Sequence, residues 1–188
     1  MTSHRITLLL AALVAAAGTD SLKAVSQTLT PSFADELSWI RSTSRLQLVP
    51  APRPPLPLDS PPYRVFIPGT EDHEDTYLVR GFTGRLSNGQ EVMVVPLSGG
   101  GATGGANVYA LVFTRLAGTV HYVGYLQSPN GHLVVSLTHG QVLATYPIFG
   151  PQGDNCCPPK THYETYTLHG THLYKVDAWI KNNTYSNP

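Results

Sequence analysis

The sequence predicts a mainly β protein, a single antiparallel β-sheet meander or sandwich-like domain with a short N-terminal helix. From Tyr63 onward, short runs of β-branched and aromatic residues alternate with Gly, Asn and Pro. Charged residues make up only 13% of the chain, while 17 glycines and 16 prolines supply abundant turn formers. The turns between the runs are short, and short turns join antiparallel neighbours.

The length and the net charge of the chain limit the classes of protein to which it can belong. The chain has 188 residues, enough for one domain with a sizeable core. Its 12 basic and 12 acidic residues give no net charge. Because a nucleic-acid-binding protein usually carries a basic surplus, we expect no nucleic-acid partner. No motif for a cofactor stands out, so none is predicted.

The first 17 residues read as a signal peptide. Arg5 gives a weakly basic start, and an apolar run follows from Ile6 to Gly18. This run is short for a membrane span but suits the hydrophobic region of an export signal, although an uncleaved anchor is the alternative. Small residues at Ala15–Ala17 place the cleavage near Ala17. We therefore expect a secreted or periplasmic protein without a transmembrane segment after signal removal.

A short helical segment is predicted for residues 18–49. Thr30 or Ser32 can cap a helix, and acidic residues follow in its first turn, where the helix dipole favours them. Apolar residues then recur at helical spacing: Phe33, Leu37 and Ile40, with Trp39 beside them. The expectation is a helix that packs on the domain or simply links to it.

A proline-rich linker is predicted for residues 50–62, since closely spaced prolines favour an extended polyproline conformation. The antiparallel β domain then covers 63–181, and 182–188 form a C-terminal tail. About eight strands are expected within the domain. The turns between them are marked by Asn88-Gly89, Ala117-Gly118, Asn130-Gly131, Gly140 and Gly170.

The run around residues 107–116 predicts a central strand. Alternation places Val108, Ala110, Val112 and Thr114 on one side and Tyr109, Leu111 and Phe113 on the other. Both sides are apolar, so both should be covered. The helix can cover one side, or the sheet can fold over itself.

Motifs for catalysis are weak, and the catalytic residues stay unknown. The glycine-rich stretch "SGGGATGGAN" lacks the lysine and helix of a phosphate-binding loop. The acidic run Gly69–Tyr77 lacks the ligand spacing of a calcium loop and predicts a solvated loop. No Gly-x-Ser-x-Gly nucleophile motif occurs in the sequence.

The two cysteines of the chain are adjacent, at Cys156 and Cys157. In an exported protein they are a disulfide candidate, which as a vicinal bond would need a distorted backbone. Free thiols and intermolecular bridges are the alternatives. A metal site would combine them with nearby imidazoles, at His162, His169 and His172. Adjacent cysteines are poor chelators of one tetrahedral ion, so we predict no metal.

The stretch "GDNCCPPKTHYETYTLHGTHL" has a recognisable order of features, in which a cysteine–proline loop precedes an aromatic-rich strand, a glycine turn and a further strand. Its distinctive positions are Cys156, Cys157, Pro158, Tyr166, Leu168, Gly170 and Leu173. In these features the second half of the chain resembles the LppP/LprE family of bacterial lipoproteins. The resemblance implies a bacterial envelope or secreted location, with no settled activity and no catalytic residues. The lipobox cysteine is absent, so lipid anchoring is not implied.

These observations predict an exported module of unknown activity, with an interaction or structural role rather than an enzymatic one. Its partner would be an unknown protein or a component of the cell envelope. One alternative is a small secreted hydrolase whose site is assembled from residues far apart in sequence. The other is a metal or redox module that uses the cysteines and nearby histidines.

Overall fold

A computed structural model describes residues 28–51, 61–70, 76–99, 107–150 and 158–184. The described residues contain one helix and eleven strands. The helix is α1 (Phe33–Arg41), and the strands are β1 (Gln47–Pro50), β2 (Tyr63–Phe66), β3 (Thr76–Leu78), β4 (Phe82–Arg85), β5 (Glu91–Gly99), β6 (Asn107–Leu116), β7 (Thr119–Gln127), β8 (Val134–Thr138), β9 (Gln141–Ile148), β10 (Lys160–His169) and β11 (His172–Asn182). The prediction of a mainly β protein with a short N-terminal helix is confirmed.

The strands form two antiparallel sheets. Sheet A has seven strands in the order β1-β2-β3-β5-β6-β7, with β4 also paired to β5. Sheet B has four strands in the order β11-β10-β9-β8. Sheet B is a simple meander, and in sheet A only the pairing of β3 with β5 skips a strand. Short turns between successive strands explain this order, because they leave the next strand no other neighbour to pair with.

Sheet A is the middle of three layers. One of its faces packs against α1 in a helix-side core, formed by Trp39, Ile40, Leu46, Val65, Ile67, Leu78, Met93, Val95, Leu97, Tyr109, Leu111 and Phe113. Its other face packs against sheet B in an inter-sheet core, formed by Leu86, Val92, Val94, Ala110, Val112, Leu126, Leu133, Val142, Ala144 and Leu168. The central strand is therefore covered on both faces, as predicted. The helix covers one face, and a second sheet, rather than the same sheet folded over, covers the other.

Helix α1 begins with a capping box. The Ser32 side chain accepts a hydrogen bond from the Asp35 amide at 3.2 Å, and the Asp35 carboxylate accepts one from the Ser32 amide at 3.0 Å. These bonds satisfy amides that the first turn would otherwise leave unpaired. Trp39 and Ile40 point into the helix-side core, and Phe33 and Leu37 pack at its margin. The helix thus packs on the domain.

Strand β6 alternates as predicted, with one exception. Tyr109, Leu111 and Phe113 face the helix, while Ala110 and Val112 face sheet B. Val108 was expected to face the same way as Ala110, but it packs at the margin of the helix-side core. The register between β5 and β6 shifts at this point, which makes Val108 an extra residue in β6. A bulge of this kind reverses the alternation that a regular strand would show.

The stretch "TYLVRGFTGRL", from Thr76 to Leu86, has the composition of one continuous strand but is interrupted. Its two parts, β3 and β4, pair with opposite ends of β5. Gly81 lies at the interruption, and its backbone is so close to β5 that a Cβ atom would lie 2.0 Å from the Val94 carbonyl oxygen. The Gly81 amide donates instead to the Glu36 side chain of α1, at 2.8 Å. A hydrogen bond between two residues that are 45 positions apart in the sequence therefore replaces strand pairing at this point.

The turns of the two sheets contact each other at one end of the molecule. The Asn88 side chain donates to the Leu168 carbonyl at 2.7 Å, and the Gln90 side chain donates to the Gly170 carbonyl at 2.5 Å. The Ser87 amide donates to the Gly140 carbonyl at 2.8 Å. These bonds fix sheet A to both hairpins of sheet B.

The predicted linker 50–62 has its two ends side by side. Pro50 is opposite Tyr63 in the β1–β2 ladder, and the Ala51 amide donates to the Pro62 carbonyl at 3.1 Å. Residues 52–60 lie outside the described part of the chain. Among the described residues, no helix has the length and apolar character needed to cross a membrane.

Candidate functional site

Sheet B is where polar, aromatic and exposed apolar side chains concentrate. Its inner face is turned toward sheet A and carries Val142, Ala144 and Leu168 into the inter-sheet core. Cross-strand register then assigns the remaining side chains. The inner face also carries Tyr146, His162, Glu164, Tyr166, Lys175, Ala178 and Ile180. The outer face carries Thr145, Thr161, Tyr163, Thr165, Tyr174, Asp177, Trp179 and Lys181.

Glu164 is the centre of a polar cluster on the inner face. Its side chain is only 11% exposed, and Lys175 of β11 donates to its Oε1 at 2.5 Å. The Tyr166 hydroxyl donates to its other oxygen. His162 lies 3.6 Å from Oε1 through its Nε2 atom. A buried carboxylate is tolerated here because a cation and a hydroxyl compensate its lost hydration.

The pKa values follow from these contacts. Burial opposes ionisation of Glu164, but the hydrogen bonds from Lys175 and Tyr166 outweigh it and lower the pKa of this carboxyl. Burial, together with the hydrogen bond to Glu164, raises the pKa of Tyr166. Glu164 is therefore an ionised acceptor and Tyr166 a protonated donor at neutral pH. This arrangement ties β11 to β10, and the lowered pKa makes Glu164 a weak base.

His162, one of the three histidines considered for a metal site, lies beside Tyr146. The Tyr146 hydroxyl is 3.2 Å from His162 Nδ1, and the two rings are 4.8 Å apart between centroids. Burial raises the pKa of Tyr146, so its hydroxyl stays protonated and is a poor nucleophile. The structure accounts for His162 as a packed member of the Glu164 cluster.

The other two histidines considered for a metal site lie elsewhere. His169 and His172 pair across the β10–β11 turn, where both contact the Tyr174 ring. His162 is seven residues away along β10, roughly 23 Å at the usual rise per residue. Among the described residues, no group of three metal-binding side chains converges.

Several predicted features lie outside the described residues. They are the disulfide candidate Cys156 and Cys157, most of the acidic run at 71–75, the centre of the glycine-rich stretch at 100–106, and the signal peptide at 1–17. The disulfide stays a prediction, and a metal site that includes the cysteines stays an alternative hypothesis.

A pocket of about 270 Å³ lies on sheet A, lined by Gln47, Val49, Arg64, Val65 and Phe66. These side chains include neither a nucleophile nor a general base. The pocket is formed by β1 and β2, whereas the polar cluster belongs to sheet B. A hydrolase needs its pocket and its reactive groups in one place, and this pocket does not meet that requirement.

Strand β11 carries an unusual amount of exposed apolar surface. Nine large apolar side chains are exposed in the described part of the chain, and four of them lie on β11: Tyr174 (51%), Val176 (51%), Trp179 (41%) and Ile180 (56%). Trp179 is on the outer face and Ile180 on the inner face. Both are exposed, so this end of β11 projects beyond the inter-sheet core.

The exposed end of β11 is nevertheless ordered by its neighbours. The Trp179 ring stacks on Tyr163 of β10, with centroids 5.2 Å apart and an angle of 6° between the ring planes. Asn183, just after β11, donates to the Pro158 carbonyl at 2.8 Å and accepts from the Thr161 hydroxyl at 3.1 Å. We therefore take β11 as the candidate binding surface.

Sequence reasoning identified the β11 strand but not its exposure. The run "THLYKVDAWI" has a signal that could have revealed it, because apolar and charged residues do not alternate cleanly. A strand that is covered on one face shows such alternation. The irregularity reflects a β-bulge at Val176. Lys175 and Asp177 pair with the adjacent residues Tyr166 and Thr165 of β10, so Val176 between them is an extra residue without a partner in the ladder.

No established family, curated protein or solved structure matches the chain. The resemblance to the LppP/LprE proteins accordingly stays a prediction from its short motifs.

Proposed function

We propose that the protein is an exported, non-enzymatic interaction module that binds a protein partner through β11. The observation that carries this proposal is the concentration of exposed apolar side chains on this one strand, Tyr174, Val176, Trp179 and Ile180. Large apolar side chains that stay exposed close together on one strand are typical of an interaction site. An exposed edge strand adds a row of backbone donors and acceptors that a second strand can pair with.

The polar cluster supports this function by fixing the strand in place. Lys175 of β11 is bound to Glu164 of β10, and the Tyr166 hydroxyl completes the carboxylate's partners. An interaction surface that is held in one conformation loses less entropy on binding. The cluster is thus assigned to positioning rather than to chemistry.

Export is part of the proposal and rests on the sequence. The apolar run from Ile6 to Gly18 suits a signal peptide, and the resemblance to LppP/LprE proteins suits a bacterial envelope or secreted location. The partner would then be a protein of the envelope or the extracellular space.

The proposal is tested by site-specific photo-crosslinking in cells that produce the full chain. A photoreactive amino acid is placed at Val176 or Ile180 on β11, and as a matched control at Arg45, which is exposed on the helix side. We expect crosslinked protein products from the β11 positions and none from Arg45. Products of equal yield at all three positions, or none at any, would contradict the proposal.

A further inference from the structure

Within the described residues, β11 pairs with β10 on one side only. The strand is 11 residues long, and no other described strand pairs with its second edge, which leaves backbone donors and acceptors there for a partner strand. One amide of the strand, that of Ala178, donates to the Asp177 side chain at 2.8 Å and would have to exchange this bond for one to the partner. The proposed function leaves open which partner occupies this edge. The charges and the register of the strand point to one occupant, and this inference rests on that function.

The bulge at Val176 divides β11 into two parts. Beyond it, Asp177 to Asn182 pairs regularly with β10. In this regular part Asp177, Trp179 and Lys181 are on the outer face, and Ala178 and Ile180 are on the inner face. A second strand can extend the sheet here only in a register that keeps outer residues opposite outer residues.

A two-fold axis at Trp179 satisfies this condition. An antiparallel copy then places Asp177 opposite Lys181 of the second copy, and Lys181 opposite Asp177. Both pairs join opposite charges on the outer face, where directly opposed side chains interact. On the inner face, Ala178 lies opposite Ile180 of the second copy, so a small side chain meets a large one. The strand is complementary to itself in this register.

Neighbouring registers lose this complementarity. A two-fold axis at Asp177 or at Lys181 places like charges opposite each other, which is destabilising. An axis at Ala178 or Ile180 separates Asp177 from Lys181 of the second copy. Only the axis at Trp179 forms both ion pairs.

The aromatic rings agree with the same register. Tyr163 covers one face of the Trp179 ring, and the rings are nearly parallel. The axis at Trp179 brings the second copy's Trp179 ring to the side that Tyr163 leaves uncovered. Offset stacking of parallel rings is favourable, and the two pairs would form one stack of four rings.

We propose that the protein forms a two-fold symmetric dimer through antiparallel pairing of β11 with β11 of a second copy, centred on Trp179. The two sheets B then merge into one eight-stranded antiparallel sheet. Edge pairing over a short segment buries little area, so the dimer is expected to be weak and to depend on protein concentration.

Charge reversal tests both the interface and the register. Asp177→Lys gives two lysine–lysine pairs in the dimer, and Lys181→Asp gives two aspartate–aspartate pairs. For each variant alone, the dissociation constant of the dimer should be at least ten times higher than for the unchanged protein. Sedimentation velocity at protein concentrations from about 1 μM to 1 mM measures this constant. An equimolar mixture of the two variants should dimerise again, because every pair then joins opposite charges. The melting temperature of each variant confirms that it is folded.

Two outcomes would overturn the dimer. One is an unchanged protein that stays monomeric up to about 1 mM. The other is a pair of charge variants that dimerise as well alone as in the mixture. The photo-crosslinking experiment separates this failure from failure of the proposed function. Crosslinks from β11 to a different protein, with a monomer in solution, would reject the dimer and leave the interaction module standing.

Discussion

Glu36 is fully buried in helix α1, although its place in the first turn suits an exposed acidic side chain. Its Oε1 accepts a hydrogen bond from the Gly81 amide, while Oε2 has no hydrogen-bond partner. Burial raises the pKa of Glu36 to about 7, against the opposing effects of the Gly81 bond and the nearby Arg80. Near neutral pH this residue therefore changes between a neutral and a charged form inside the protein.

Stability should consequently fall as pH rises through neutrality. The pKa of Glu36 is higher in the folded protein than in the unfolded chain, so its contribution to stability is complete below about pH 4.5, is lost as pH rises from there to about 7, and changes little above. We expect the free energy of unfolding to decrease by about 2 kcal/mol between pH 5 and 8. Urea unfolding at several pH values between 5 and 8 measures this decrease in the free energy of unfolding.

Glu36→Gln is the matched control for this pH dependence. The amide keeps the acceptor for Gly81 and cannot ionise, so the variant should lose most of the decline and exceed the unchanged protein in stability at pH 8. An identical decline in the variant would show that other groups cause it.

Glu164 should make the stability of the protein depend on pH in the opposite direction. Its pKa is lowered in the folded protein, so its contribution is present above the unfolded value and is lost as pH falls below it. Glu164→Gln should cost about 1 to 2 kcal/mol at pH 7, because Lys175 loses its charged partner and a buried site is left poorly paired. Urea unfolding at pH 7 and pH 4 should show that the difference shrinks in acid.

The control for Glu164 is Glu91→Gln. Glu91 lies 3.4 Å from Arg115, but both side chains are substantially exposed. An exposed ion pair contributes little, so this substitution should cost less than about 0.5 kcal/mol. Equal costs at the two positions would contradict the role of the buried cluster.

Tight turns are the elements that sequence predicts best here. Ala117-Gly118 and Gly140 were expected to be turns, and all three residues have positive φ. Such turns depend on local backbone preferences, so a short stretch of sequence is enough to predict them. The same reasoning identified the alternation of β6.

Bulges and breaks were missed because nothing local requires them. Val108 and Val176 are ordinary β-forming residues, and their bulges follow from pairing with another strand. The break at Gly81 depends on Glu36, 45 residues away. The candidate surface on β11 was not predicted for the same reason, since its exposure follows from how sheet B lies on sheet A.

Two glycine turns allow an element-scale prediction. Gly118 and Gly140 have similar φ angles of 82° and 70°, but a Cβ atom on Gly118 would have no neighbour within 4 Å. On Gly140 it would lie 2.6 Å from the Ser87 nitrogen, where the two sheets are joined. Gly118→Ala should therefore cost about 1 kcal/mol from backbone strain alone. Gly140→Ala should cost at least twice as much, measured by thermal unfolding.

If the two alanine variants are equally stable, the contact between Ser87 and Gly140 is not a close one. A larger loss at Gly140 should be accompanied by a weaker near-ultraviolet circular dichroism signal. That signal would report looser packing between the sheets.

At the scale of the whole molecule, the helix and Leu46, just before β1, complete the helix-side core. Trp39, Ile40 and Leu46 are all less than 10% exposed and cover one face of sheet A. Sequence patterns predicted the β class, the helix and the covered central strand. The division into two sheets could not be predicted, because it depends on which strands pair over long distances.

Removal of the N-terminal segment should therefore destabilise the domain. A chain that starts at residue 63, the predicted start of the β domain, lacks these three side chains and leaves Leu111 and Phe113 uncovered. We expect it to bind the dye ANS and to unfold without a cooperative transition. A chain that starts at residue 28 is the control and should unfold cooperatively. Cooperative unfolding of the shorter chain would show that sheet A needs no helix.

The three-layer order also has a consequence for synthesis. The chain is made from its N-terminus, so α1 and sheet A leave the ribosome before sheet B, which begins at Val134. Until β9 and β10 have emerged, the face of sheet A that carries Val94, Ala110 and Val112 has no cover. The nascent chain thus exposes a broad apolar sheet face for the time needed to make its last third, and this is the period in which a chaperone would protect it.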